Sequence, residues 1–261
     1  MPSLKEVRNR ITSVNSTKQI TAAMKMVSAA KLRRAQDAIL RMRPYAEKLQ
    51  AILGSVSASL DSSEGVYSAQ REARKVLLVP IVSNRGLAGA FNTQVFRLVR
   101  KAVDDAKANG QEARILPIGK KAMDLYRRSG MLDEGLPTDL ASLFDGLSFE
   151  KAAPVAELLM KQFAHGSYDR VVLFYNKFKN AAVQITTEEQ YLPIAPNAGT
   201  ASTEARSAKA DHIMEPDRAT IVEQIIPKSL KIQLYKALLD SFAAEHGARM
   251  TAMHKATDNA D

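Results

Sequence analysis

Two periods govern the apolar positions of this chain, one helical at both ends and one strand-like in the middle. The first helical pattern opens at Ser3, with Glu6 three residues on as in a capping box. Leu4, Val7, Ile11 and Val14 then follow in the 3–4 spacing of a coiled-coil seam. Beyond Val14 the pattern divides: Ile20, Met24 and Val27 form one stripe, and Ala22, Met26, Ala29 and Ala30 another. A helix apolar on more than one side requires more than one neighbour. Lys31, Arg33, Arg34, Arg41 and Arg43 restore a basic face. Pro44 is expected to bend the helix, which resumes through Leu49, Ile52, Leu53 and Val56. From Ser3 to Leu60 such a helix would reach about 80 Å. A compact domain from a chain of this size is much narrower, so the helix must protrude or be surrounded.

Residues 61–74 are a polar linker, after which the period changes. Lys75–Ser83 is a buried-strand run, and the Gly-containing turn Ser83–Phe91 leads into a helix near Asn92–Asn109. A strand at Arg114–Ile118, a short helix at Lys120–Ser129, a helix at Phe149–His165 and a strand at Arg170–Tyr175 come next. Ala182–Thr187 is expected to pair with that last strand as a hairpin. Strands alternating with helices imply crossover connections and a mainly parallel sheet. Pro80 and Pro117 lack a ladder donor and belong at strand ends or bulges.

Residues 195–210 are small and polar, a loop pattern. From about Asp217 a helical stripe runs to the end through Leu230, Leu234, Leu238, Phe242, His246 and Met250, widened by Ile225, Ile232, Tyr235, Leu239, Ala243 and Met253. The expected organisation is an N-terminal coiled-coil helix over 1–60, a central α/β domain over 75–195 and a C-terminal coiled-coil helix over 211–261. Domain termini tend to lie close together, so the two long helices leave from one side and run antiparallel.

Composition narrows the function. Lys and Arg number 37 against 28 Asp and Glu, a formal charge of +9 that favours an acidic partner. No cysteine is present, which excludes disulfides, thiolate metal sites and thiol nucleophiles. No apolar run approaches the length of a membrane-spanning helix. The start, charged at once and without an apolar core, is not expected to be a signal peptide.

Catalytic patterns are missing. The turn with Gly86 and Gly89 sits where phosphate loops sit, but it matches neither the dinucleotide nor the P-loop motif. Its glycines are expected to serve a tight turn and close helix–sheet packing. Gly119-Lys120-Lys121 fails the P-loop spacing because position 114 is Arg. His246 and His254 share a helix with no carboxylate placed to complete a metal site, and are expected to be solvated or stacked. Asp104-Asp105 and Glu188-Glu189 diverge as neighbours and make no acid–base pair. No cofactor, metal or catalytic residue is expected.

Three segments carry a resemblance. ITSVNSTKQITAAMKMVSAAKLRRAQ, SNRGLAGAFN and the stretch from Met214 to Ala260 resemble, in this order, the gamma subunits of bacterial F-type ATP synthases. The resemblance implies an antiparallel coiled coil of the terminal helices around a central Rossmann-like α/β domain. It implies a non-catalytic rotor shaft inside an alpha3-beta3 hexamer, with the epsilon subunit and the c-subunit ring at the base and one copy per complex. It implies peripheral attachment at the cytoplasmic face of the plasma membrane, with no direct insertion and no nucleic acid.

By the same resemblance, Met24 and Arg249 lie near the acidic lever loop of beta, with Ile20, Lys25, Val27, Met250 and Met253 beside them. Ser83, Arg85, Gly86, Gly89 and Asn92 form the domain turn at the base of the stalk. Asn84 and Ala88 stand where the family often has Asp and Cys. The family helix normally continues past the stretch that ends this sequence, so a shorter shaft with a weaker upper bearing is expected. Composition alone also suits a basic coiled-coil adaptor or nucleic-acid-binding module. A Rossmann-like nucleotide enzyme would need the phosphate loop that is missing.

Overall fold

The computed structural model describes residues 3–57, 66–194 and 218–260. The loop expected at 195–210 and the end of the first helix near Leu60 lie outside them. Helix α1 spans Leu4–Ser57. The domain follows as β1 (Lys75–Pro80), α2 (Phe91–Ala108), β2 (Glu112–Ile115), α3 (Lys120–Tyr126), α4 (Phe149–Ala164), β3 (Arg170–Phe178) and β4 (Gln184–Leu192). Helix α5 closes the chain over Arg218–Asp258. The sheet order is β2-β1-β3-β4. β1 lies parallel to both β2 and β3, and β4 returns antiparallel at the edge. The architecture is therefore α/β with two long terminal helices, as the pattern implied.

The capping box forms: the Ser3 amide donates to Glu6 at 2.8 Å, and the Glu6 amide donates to the Ser3 hydroxyl at 3.3 Å. Helix α1 passes through Pro44 and α5 through Pro227. Pro80 is the last residue of β1, and its carbonyl accepts from Ile118 at 2.9 Å. β2 starts two residues earlier than its apolar run and ends before Pro117. β4 extends to Leu192, beyond its expected end, because an edge strand with mixed exposure carries little hydrophobic signal.

Side chains alternate across the sheet. Val76, Leu78, Val172 and Phe174 meet the α2 stripe Val95, Val99 and Val103 on one face. Leu77, Val79, Ile81, Leu173 and Tyr175 meet α4 and α5 on the other, through Leu159, Phe163, Leu230, Leu234 and Leu238. The first half of α5 is thus a layer of the domain. Its second half pairs with α1, where Leu32 and Ala35 pack on Ala243 and Met250. Nearer the end the Thr21 and Thr257 hydroxyls meet at 2.9 Å. Rising numbers on α1 face falling numbers on α5, so the pair is antiparallel.

The α1 seam is longer than its apolar residues suggest. Thr21, Ser28, Leu32 and Ala35 are the buried positions of this stretch, with Ile39 packed beside them. They continue the 3–4 spacing of Leu4, Val7, Ile11 and Val14 in the same register. The stripes after Val14 are therefore not the seam: it runs on through small and polar side chains, and Ile20, Met26 and Val27 face outward.

Leu234 is fully buried in the domain core on the helix that becomes the shaft. Leu234→Ala is expected to cost about 2–5 kcal/mol. In urea, the near-ultraviolet signal of the domain and the helical signal should shift together; a shift confined to one would show that α5 is not a shared element.

Candidate functional site, the junction of the helix pair and the domain

Over residues 237–246 almost every position of α5 is buried, on all sides of the helix. Such a segment must be enclosed, and three elements enclose it. Helix α1 covers one side through Leu32 and Ala35. The β3–β4 hairpin covers a second: the Thr251 hydroxyl donates to the Ala181 carbonyl at 3.2 Å. A Cβ at Gly247 would stand 3.2 Å from the Ala181 backbone, so glycine there lets helix and hairpin approach. The turn after β1 covers the third. Ala88 and Phe91 pack on Ala244, and the Ser241 hydroxyl donates to the Ile81 carbonyl at 3.3 Å.

That turn is held rigidly. Asn92 Oδ1 accepts from the Ser83 amide at 3.1 Å and Asn92 Nδ2 donates to the Ser83 hydroxyl at 2.8 Å. Asn84 bridges from the Ala141 carbonyl to the Lys120 amide, at 2.8 and 3.0 Å. The buried Asn176 donates to the Phe91 carbonyl at 2.9 Å. Leu87 and Gly89 take positive φ, 61° and 57°. The turn offers carbonyl oxygens to the junction, and Nη2 of Arg249 donates to those of Arg85 and Gly86 at 3.2 and 3.3 Å. A cation, not a phosphate, is what this arrangement of acceptors suits. Gly89 serves the tight turn through its positive φ, whereas a Cβ at Gly86 or Gly89 would meet nothing within 4 Å, so the close packing expected of them is not found.

Arg249 is 7% exposed and its Nη1 donates to Glu245 one helical turn earlier. Burial raises the Glu245 carboxyl and the guanidinium pulls it back down. His246 is buried, edge-on to Phe242 with ring centroids 4.5 Å apart. Burial first, then the charges of Arg249 and Lys31, lower its pKa to about 3. Asp240 is also buried; desolvation raises it to about 6 against the pull of Lys236, Lys177 and Arg43. His254 is exposed and meets Asp258 at 3.0 Å.

The residues implied by resemblance divide into two groups. Ile20 and Val27 are exposed at 60% and 57%, with Met24 and Lys25 half-buried beside them, so this part of α1 presents a surface. Arg249 and Met253 are both buried within the chain, the first by its bonds to Glu245 and the turn, the second at 4% exposure. Met250 is half-buried in the α1–α5 cluster. Ser83 is buried within the turn, Asn92 braces it, and Arg85, Gly86 and Gly89 lie on its exposed side. Ser241, Glu245 and Gly247 escaped the sequence reading. The signal available for Glu245 was its place one turn before Arg249 within an otherwise apolar stripe.

A profile of the ATP synthase family matches residues 3–261. The ATP synthase gamma chain of Flavobacterium psychrophilum is 52% identical over the whole chain, which spans 88% of that relative's length. The gamma chain of Chlorobium limicola is 41% identical with the same coverage. This chain belongs to the ATP synthase gamma chain family. Among solved structures, a chain of the central stalk and c-ring of the Tetrahymena thermophila mitochondrial ATP synthase superposes with a TM-score of 0.63 at 27% identity, covering 91% of this chain and 99% of that one. Among the described residues no helix is long and apolar enough to cross a membrane, and no group of metal-ligating side chains gathers. A gamma chain is a non-catalytic subunit of its complex.

Asp240 and His246 act in opposite directions. Asp240 has its folded pKa raised above the unfolded value, so its penalty is absent below pH 4 and complete above pH 7. Asp240→Asn is expected to add on the order of 2–3 kcal/mol at pH 8 and almost nothing at pH 4, read by urea unfolding. His246 has its folded pKa depressed, so the folded state refuses a proton that the unfolded chain accepts, and stability falls as pH drops below 6.5. Its imidazole C2 proton should not shift in NMR between pH 8 and pH 5; a midpoint near 6.5 would contradict the buried placement.

Proposed function

We propose that this chain is the rotor shaft of the F1 sector of a proton-translocating ATP synthase. In this reading the helix pair stands inside the alpha3-beta3 hexamer. The domain stands at the base with the epsilon subunit, on the c-subunit ring, one copy per complex. The assembly sits peripherally at the cytoplasmic face of the bacterial plasma membrane. Proton flow turns the ring, and the asymmetric shaft drives the beta sites through their conformations; the chemistry of ATP belongs to beta.

One observation carries the reading beyond family membership. Helix α1 is about 80 Å long and keeps Ile20, Met26 and Val27 exposed off its seam, with the seam positions Leu4, Val7, Ile11 and Val14 exposed beyond them. A run of exposed apolar residues of this extent marks an interaction surface. Its spread along one rod fits a surrounding sleeve better than a single docked protein. Met and Ala on that surface make soft contacts, which suits a face that slides. Ile20, Met24, Lys25 and Val27 touch beta directly in this account, Met250 lies at the edge of that contact, and Arg249 and Met253 support it from behind.

Mixing the chain with purified alpha and beta subunits tests the proposal. ATP hydrolysis should rise well above that of alpha and beta without it, and the chain alone should hydrolyse nothing; no stimulation would refute the shaft reading. Met24→Lys is expected to slow turnover of the assembled complex several-fold, because an ammonium facing the acidic loop of beta adds an ion pair that resists sliding. Unchanged hydrolysis and synthesis rates would remove Met24 from the contact.

A further inference from the structure

We infer that Arg249 is a positioning residue that fixes the rotational angle of the helix pair relative to the domain, so that a twist applied to one is delivered to the other. The inference rests on the rotor reading and deepens it.

Apolar packing resists separation but is non-directional, so a helix held only by leucines and alanines can roll about its axis at small cost. Hydrogen bonds are directional and oppose rolling. Along the first half of α5 the directional bonds to the domain lie on the β4 and α4 sides: the Tyr191 hydroxyl to the Leu230 carbonyl at 3.0 Å, Gln233 to Glu189 at 2.7 Å, and Lys231 to Glu157 at 2.5 Å. The last of these is substantially exposed and correspondingly weak.

Where α5 leaves the domain, three side chains grip it: Ser241 holds the Ile81 carbonyl through a short arm at 3.3 Å, and Thr251 and Arg249 reach further along. Thr251 reaches the hairpin at Ala181, but its hydroxyl also bonds the Gly247 carbonyl of its own helix at 3.1 Å. Arg249 is the longer arm, reaching two successive carbonyls of the turn after β1. Torque is force times distance from the axis, so the longer arm resists rolling more effectively at equal bond strength. The guanidinium is itself held from its own helix by Glu245 at Nη1, and Nδ1 of His246 lies 3.5 Å from Nη1. The turn it grips is fixed in turn by Ser83, Asn84, Asn92 and Asn176. A continuous series of stiff contacts therefore runs from the sheet through the turn and the guanidinium to the helix. A guanidinium offers several donors in a planar fork, whereas an ammonium is a single point. Arg249→Lys thus keeps a charge beside Glu245 and loses the grip on two carbonyls.

The test uses the chain assembled with alpha and beta subunits. The chain has no native cysteine, so Lys107→Cys on the exposed side of α2 gives one attachment point for a bead on the domain. With the ring surface-bound and stalled without ATP, the angular variance of the bead reads the torsional stiffness of the shaft. Arg249→Lys and Arg249→Gln are each expected to at least double that variance. Arg249→Lys should do so with urea stability close to that of the parent chain, which separates positioning from a merely structural role. Glu245→Gln, which weakens the hold on Nη1 by removing the charge but leaves the arm in place, should give an intermediate value. Parent-like variance in both Arg249 variants would overturn the inference. Failure of the unsubstituted chain to stimulate hydrolysis would overturn the rotor reading itself, a different result from stimulated hydrolysis with unchanged variance.

Discussion

Helix α5 has to satisfy two environments with one continuous backbone. Through Leu230, Leu234 and Leu238 it completes the core of the α/β domain, and through Ala243 and Met250 it closes on α1. Between these stretches there is no side left for solvent. Polar groups caught there must find partners or incur the full cost of burial. Arg249 finds Glu245 and two carbonyls, and Ser241 finds the Ile81 carbonyl. Nε2 of His246 finds none, and desolvation displaces the pKa of both His246 and Asp240. The collar of α1, hairpin and turn around this segment makes domain and helix pair one body.

The same constraint explains the small residues of the junction. Ala88, Ala181, Ala243, Ala244 and Gly247 let three backbones approach one helix closely. Close backbones leave carbonyl oxygens within reach of side-chain donors, and those donors are Ser241, Arg249 and Thr251. A turn built like a phosphate loop in outline, strand to glycines to helix, is thereby turned to a mechanical use.

Much of this was legible in the chain's alternations. The long terminal helices, their antiparallel course, the parallel sheet with a returning edge strand, and the capping box at Ser3 all follow from periodicity and turn chemistry. The seam of α1 between Lys18 and Ser28 did not, because a coiled-coil position need not be apolar where the facing residue is small or polar, as Thr21 and Thr257 show. The role of Arg249 was hidden for a related reason. A charge on a long helix reads as solvated unless tertiary structure surrounds it, and what surrounds Arg249 comes from a turn more than a hundred and fifty residues earlier in the chain. Exposed Ile20 and Val27 agree with the pattern that asked for more than one neighbour, since α5 leaves them uncovered.

Taken with its family, the molecule is a stiff rod fixed to a base, with apolar surface left along the rod. That form is useful where rotation at one end must do work at the other. The most direct test watches this happen: a marker on the exposed side of α2, followed in single complexes of the chain with surface-bound alpha and beta subunits while ATP is hydrolysed. The account predicts sustained rotation of the marker in one direction, in steps that keep pace with hydrolysis. A marker that stays still, or only jitters, while ATP continues to be consumed would contradict it.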